Sequence, residues 1–129
     1  MQNQLKKRLK NGETLLGSFV TMNNPDGAEI LAMAGFDFLV IDCEHGPMSV
    51  ESATDLIRAG EVRGVPSIVR VKDSEAATIL RSLDIGAAGV QVPQVGSGEI
   101  AAAVADAAHY YPLGHRGPVS YTHLTLPTN

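Results

Sequence analysis

The sequence predicts an α/β fold in which helices cover a parallel sheet. Two observations lead to this prediction: four short runs rich in Val, Ile, Leu and Phe, and a segment of helical apolar period after each run. The predicted strands are residues 15–21, 36–42, 67–71 and 89–92, and the helices that follow them are residues 25–35, 50–63, 75–84 and 98–108. Because strands that alternate with helices pair in parallel through right-handed crossovers, we expect four consecutive βα units.

The first two units carry recognisable start signals. A polar helix over residues 2–10 comes before the first strand. Asn24 suits the N-cap of the next helix, and Pro25 suits its first position. The second strand is apolar on both faces over residues 38–41, as expected of a parallel strand that is covered on both sides. Ser49 is a candidate cap for the helix that follows.

The last two units are shorter. The helix of the third unit has an apolar face that includes Ile79 and Leu83, and we expect it to be buried. Ser97 opens the helix of the fourth unit, where Ile100 and Val104 are expected to be buried in the same way.

Composition excludes several classes of protein. Of the 129 residues, 44% are apolar and 19% are charged, with a net charge of −4, so disorder and nucleic-acid binding are not expected. Cys43 is the single cysteine, which rules out a disulfide within the chain and suits a reducing compartment. No apolar run reaches the ~20 residues that a membrane span needs, and the polar amino terminus has no signal core. These features predict a soluble cytoplasmic protein.

The final stretch departs from the rest of the sequence. Residues 121–129 contain no Asp, Glu, Lys, Arg, Ala or Gly, although the preceding part is rich in Ala and Gly. We therefore predict one domain over residues 1–118, followed by a non-native or disordered tail over residues 119–129.

Polar residues collect after the predicted strands, where parallel α/β folds bind their ligands. They are Thr21 and Asn23 after the first strand, Asp42, Glu44 and His45 after the second, Arg70, Lys72 and Asp73 after the third, and Gln91 and Gln94 after the fourth. The opposite strand ends have far fewer such groups. The asymmetry predicts a functional site at the carboxyl ends of the strands.

The turn after the second strand is the richest point. It presents two carboxylates and an imidazole, and histidine there can act as a general base that a carboxylate orients. The alternative is a loop histidine held by local hydrogen bonds beside a solvated Glu44. Arg70 ends an apolar strand and offers forked donors for a carboxylate; its alternative is an ion pair with Asp42 or Asp73.

With these residues the sequence resembles the HpcH/HpaI aldolase/citrate lyase family of class II pyruvate-type aldolases, over about residues 3–118. The motifs that carry the resemblance are Gly17-Ser18-Phe19, Ala34-Gly35-Phe36-Asp37-Phe38, Ile41-Asp42-Cys43-Glu44-His45-Gly46-Pro47, Val69-Arg70-Val71, Leu83-Asp84-Ile85-Gly86 and Gly114-His115-Arg116-Gly117. The resemblance implies the first four βα units of a TIM (β/α)8 barrel. It also implies cleavage of 4-hydroxy-2-oxo acids to pyruvate and an aldehyde through a metal-stabilised enolate.

The resemblance further implies roles for individual residues. His45 is expected to act as the catalytic base, directly or through a metal-bound water, with Asp42 orienting it. Arg70 is expected to bind the pyruvyl oxygens and to stabilise the enolate. Asp84 is expected to be a further catalytic residue, near the site at a subunit contact. A divalent cation, Mg²⁺, Mn²⁺ or Co²⁺, is expected to take its ligands from the missing second half, so no metal ligand is assigned here. The full-length form is expected to be a homo-oligomer, a hexamer, that acts on a small 2-oxo acid without nucleic-acid or membrane partners.

The departure from the family is one of length, since a complete barrel takes about 250 residues. We therefore expect this chain alone to be an inactive fragment of the lyase. Three other interpretations stay open. One is a flavodoxin-like receiver domain, although such a domain needs acidic residues after its first strand, where this sequence has Thr21 and Asn23. The other two are a Schiff-base aldolase that uses Lys72 and a non-catalytic assembly partner.

Overall fold

A computed structural model describes residues 4–117 of the chain. The elements are α1 (Leu5–Lys10), β1 (Gly17–Val20), α2 (Pro25–Met33), β2 (Phe38–Asp42), α3 (Val50–Val62), β3 (Ser67–Arg70), α4 (Ala76–Asp84), β4 (Gly89–Gln91) and α5 (Gly98–Ala108). The four predicted βα units are confirmed in their predicted order. The predicted tail over residues 119–129 lies outside the described residues.

The sheet has four parallel strands whose spatial order, β1-β2-β3-β4, follows the chain. The register places Asp42, the last residue of β2, directly beside Arg70, the last residue of β3. Side chains at paired positions of a sheet point to the same face. Two residues that the sequence marks as functional therefore project together from neighbouring strand ends.

The helices pack on one face of the sheet. Leu39, Ile41 and Val69 point to that face and are fully buried, together with Leu56 and Ile57 of α3. The opposite face, which we call the open face, consists of the alternate strand positions: Gly17, Phe19, Phe38, Val40, Asp42, Ile68, Arg70, Gly89 and Gln91. The helices that pack into the core lie on the other face, although Val40 and Asp42 of β2 are buried on the open face as well.

Side chains at the predicted caps begin three of the helices. The Oδ1 atom of Asn24 accepts hydrogen bonds from the backbone N–H groups of Asp26 and Gly27. Ser49 and Ser52 form a reciprocal capping box at the start of α3, and Ser97 accepts from the N–H of Ile100. These caps satisfy N–H groups that the first turn of a helix leaves unpaired.

The prediction for α5 is wrong in one respect. Ile100 and Val104 were expected to be buried, yet no residue of α5 is buried. The helix packs against α4, but it belongs to the last described unit, and β4, the strand beside it, has only three residues. Burial of an outer helix needs a neighbour on each side, and within residues 4–117 the neighbour that packs against α5 is α4. No helix of residues 4–117 is long and apolar enough to cross a bilayer.

Candidate active site

The carboxylate of Asp42 is the centre of the cluster at the strand ends. It is 2% exposed and accepts two hydrogen bonds from Arg70, from Nε to Oδ1 at 2.9 Å and from Nη2 to Oδ2 at 2.5 Å. Its Oδ1 also accepts from the backbone N–H groups of Glu44 and His45, at 3.1 and 3.0 Å. Asp42 thus ties the end of β3 to the turn that carries the imidazole.

Charge pairing fixes the protonation state of this pair. The hydrogen bonds from the Arg70 guanidinium hold the pKa of Asp42 far below its ordinary value, against the opposing effect of burial, and the N–H groups of His45 and Glu44 lower it further. The same contact raises the pKa of Arg70. Asp42 is therefore ionised at neutral and mildly acidic pH. It acts as a hydrogen-bond acceptor rather than as a base.

Glu44, which the sequence places in the turn without a separate role, lies between His45 and Arg70. Its side chain is 15% exposed, with Oε2 3.5 Å from Arg70 Nε and Oε1 3.5 Å from His45 Nε2. The imidazole of His45 is itself 73% exposed, so it can reach a ligand from solvent. Asp42 contacts the backbone of His45 and not its ring, whereas the carboxylate beside the ring belongs to Glu44.

Phe19 is a second residue that sequence reasoning missed. Its ring lies under the guanidinium of Arg70, with Cζ 4.9 Å from the ring centroid. The contact helps to hold the guanidinium at the open face, because a cation is attracted to the face of an aromatic ring. The alternation of side chains along β1 could have indicated that Phe19 faces the site. Phe19 is aligned across the strands with Val40 and Ile68, on the open face.

Asp84 does not join this cluster within the described chain. It is the last residue of α4, and a helix that follows a parallel strand runs back to the edge where the strands begin. There its Oδ1 accepts a hydrogen bond from Nη2 of Arg116 at 2.9 Å, and Arg116 stacks on Tyr110. The expected role of Asp84 at a subunit contact remains a prediction.

Lys72 does not share a face with Arg70. Strand β3 ends at Arg70, and Lys72 lies beyond it, exposed, with Nζ 4.0 Å from Asp73. It borders a cavity of about 290 Å³ that Cys43 and Val71 also line, on the helix side of the sheet. Burial raises the pKa of the Cys43 thiol, so that group is protonated at neutral pH.

Gly46 allows the turn to close behind His45. A Cβ at this position would collide with the carbonyl oxygen of Asp42 and would lie 2.9 Å from Cε of Met48. We expect Gly46→Ala to lower the free energy of unfolding by about 2 kcal/mol, as overpacking does in well-packed regions. Urea denaturation measures the change. Gly96→Ala is the matched control, because nothing lies within 4 Å of its added Cβ; equal effects of the two substitutions would contradict this role.

The described residues do not form a metal site by themselves. No group of three or more His, Cys, Asp or Glu side chains among residues 4–117 is placed to hold an ion. The two carboxylates nearest the site already contact Arg70.

Comparison with known proteins identifies the family. The model of the HpcH/HpaI aldolase/citrate lyase family matches residues 15–127. The chain belongs to this family. This assignment excludes the flavodoxin-like receiver. The family match includes part of the segment after residue 118, and the foreign origin of that segment stays a prediction.

Three HpcH/HpaI relatives show how much of the family the chain represents. It is 40% identical to a 4-hydroxy-2-oxovalerate aldolase of Novosphingobium aromaticivorans over 116 residues, which are 89% of this chain and 44% of the relative. It is also 40% identical to a hydroxypyruvate/pyruvate aldolase of Agrobacterium fabrum, over 90% of this chain and 44% of the relative. The crystal structure of an HpcH/HpaI aldolase from Desulfitobacterium hafniense superposes with a TM-score of 0.82 at 37% identity, covering 88% of this chain and 44% of that one.

The chain therefore spans less than half the length of these HpcH/HpaI relatives. Four parallel strands covered by helices on one face are half of an eight-stranded barrel. The predicted fold class, the first four βα units of a TIM barrel, is confirmed.

Proposed function

We propose that this chain supplies part of the active site of a carbon–carbon lyase, an aldolase that cleaves 4-hydroxy-2-oxo acids to pyruvate and an aldehyde. One observation carries the proposal: Arg70 and the His45 turn project from neighbouring strand ends, joined by Asp42. Two relatives at 40% identity are named as aldolases, which supports the same reaction class.

Arg70 is the binding group for the 2-oxo acid. Its Nε and Nη2 atoms bind Asp42, which holds the guanidinium in place and leaves Nη1 outside this pair. A planar guanidinium presents donors that match a carboxylate, and its charge is most valuable where negative charge grows during the reaction. Arg70 thus binds the pyruvyl end of the substrate and stabilises the enolate.

His45 is the base. It removes the proton of the 4-hydroxyl group, the C3–C4 bond breaks, and C4 leaves as the carbonyl carbon of the aldehyde. The bonding electrons pass to the pyruvyl part, which becomes an enolate and then takes a proton at C3 to give pyruvate. Glu44, whose Oε1 lies 3.5 Å from Nε2 of His45, is the carboxylate beside the ring in this step.

A divalent cation, Mg²⁺, Mn²⁺ or Co²⁺, belongs to the proposal, but residues 4–117 do not fit it alone, since Asp42 and Glu44 contact Arg70. We infer that its ligands come from a part of the protein beyond these residues. The full-length form is proposed to be a cytoplasmic homo-oligomer, a hexamer, whose Asp84 lies at a subunit contact near the site. Residues 1–118 are its domain, and residues 119–129 are proposed to be foreign to it.

A chimera tests the proposal. Residues 1–117 are joined to the second half of the Agrobacterium fabrum relative, and release of pyruvate from 4-hydroxy-2-oxovalerate is followed. We expect turnover that EDTA abolishes, and none from the 129-residue chain alone with cation added. A folded chimera without turnover, or turnover by the chain alone, would contradict the proposal. Borohydride trapping of pyruvate on Lys72 would instead indicate Schiff-base chemistry.

A further inference from the structure

The two middle βα units are separated by a gap between their helices. Helix α2 packs against α3, and α4 packs against α5, but within the described chain no comparably close contact joins α3 to α4. Two small side chains of α4, those of Thr78 and Ser82, border the gap. Its walls come from residues 43–82, so they are complete within the two middle units and do not involve the outer strands of the sheet.

The gap contains the cavity of about 290 Å³ that Lys72 borders, and the floor of this cavity is apolar. Met48 and Val71 line it and are 5% and 1% exposed, and Ser82 beside them is fully buried. The hydroxyl group of Ser82 donates to the carbonyl oxygen of Thr78 at 2.9 Å, so its proton is already used. Apolar cavities of about 150 Å³ bind benzene, and a ring-sized apolar group therefore fits here.

The mouth of the cavity carries a positive charge. Lys72 and Ser49 are exposed residues of the lining. The nearest carboxylate to the ammonium group is that of Asp73, at 4.0 Å, the outer limit of an ion pair. Asp73 also accepts hydrogen bonds from the N–H of Glu75 and from the side chain of Thr78. The Lys72 ammonium group is therefore available to a second anion, which its flexible stem allows it to reach.

We propose that this cavity is a binding site for a small apolar carboxylate. The ring or branched chain of the ligand lies against Met48 and Val71, and its carboxylate lies at the mouth beside Lys72. An apolar floor with a cation at the rim is complementary to a ligand of this class. The cavity is on the helix side of the sheet, whereas Arg70 projects from the open face, so the two sites are separate. The inference does not depend on the proposed lyase activity.

A ligand in this cavity also contacts the segment that carries the His45 turn. Cys43 and Met48 line the cavity, and they stand on either side of Glu44 and His45 in the chain. Occupation of the cavity therefore restrains both ends of the turn. We expect the backbone amide signals of Glu44 and His45 to change when the ligand binds, although neither residue lines the cavity.

Titration of benzoate into the isotope-labelled 129-residue chain, followed by NMR, tests the proposal. We expect saturable shifts of the amide signals of Cys43, Met48 and Val71. Benzyl alcohol, which has the same ring without the charge, should bind at least about threefold more weakly, because it lacks the ion pair with Lys72. Shifts confined to Phe19 and Arg70 would mean that benzoate binds the guanidinium on the open face, and they would overturn the proposal.

Three variants separate the cavity from other positive surfaces. Lys72→Met keeps an apolar stem and should raise the dissociation constant of benzoate by about threefold or more. Lys10→Met is the matched control, since Lys10 is also exposed but ends α1 and does not line the cavity. Ser82→Met fills the cavity from its floor and should abolish the saturable shifts, with circular dichroism to verify its helices. Equal effects of the two lysine substitutions, or unchanged binding by a folded Ser82→Met variant, would exclude this site.

Discussion

Replacing Asp42 with alanine is expected to lower the free energy of unfolding by about 3 kcal/mol. The substitution leaves the part-buried guanidinium of Arg70 without its carboxylate, and breaking a buried ion pair by removing one partner costs several kcal/mol. It also removes the acceptor of two backbone N–H groups in the turn, those of Glu44 and His45. Urea denaturation followed by circular dichroism measures the change.

Asp55→Ala is the control for this substitution. Asp55 is also paired with an arginine, Arg58, but at 3.9 Å and with both side chains largely exposed. Exposed pairs contribute little, so we expect a change below about 0.5 kcal/mol. Similar losses for the two variants would mean that the Asp42–Arg70 pair does not hold the strand ends together.

The pH dependence of stability provides a second measure of the same pair. The pKa of Asp42 is lowered on folding, so the unfolded chain binds a proton there more readily than the folded chain. The stabilisation is therefore complete above the pKa of an ordinary aspartate, about 4, and is lost progressively as the pH falls below that value. This part of the acid-induced loss should be absent from Asp42→Ala.

Replacing His45 with alanine in the chimera is expected to lower kcat by about a thousandfold. A positioned general base contributes roughly two to four orders of magnitude, and His45 is the imidazole at the strand ends that lies within reach of both solvent and Glu44. KM should change little, because substrate binding rests on Arg70. Steady-state release of pyruvate at saturating cation measures both constants.

His109→Ala serves as the control. His109 follows α5, its Nδ1 atom lies 2.7 Å from the carbonyl oxygen of Ala105, and it is at the opposite edge of the sheet. We expect its kcat to stay within about twofold of the unchanged chimera. A His45→Ala chimera that retains most of its rate would exclude the imidazole as the base.

The secondary structure could be predicted because local signals agree with one another. Asn24, Ser49 and Ser97 mark helix starts, and Gly35, Gly64 and Gly86 follow helix ends with φ of 99°, 74° and 104°, which favour glycine. The position of Arg70 beside the His45 turn also followed from the order of strands. These features depend on a few neighbouring residues and on the rules of parallel sheets.

The partners within the site could not be predicted in the same way. The sequence places two carboxylates near His45 but does not distinguish which one faces the ring, since that depends on the register between β2 and β3. The register directs Asp42 to Arg70 and leaves Glu44 beside the imidazole. The exposure of α5 was missed for a related reason: an apolar face indicates that a helix packs somewhere, not that its neighbour lies in the same stretch of chain.

The order β1-β2-β3-β4 has a consequence for biosynthesis. Each strand pairs with the one that left the ribosome immediately before it, so every long-range pairing closes a loop of a single βα unit. Short loop closures are fast, and proteins whose contacts are local in sequence fold quickly. The strands can therefore assemble one after another during translation, with the Asp42–Arg70 pair completed as soon as the third strand emerges.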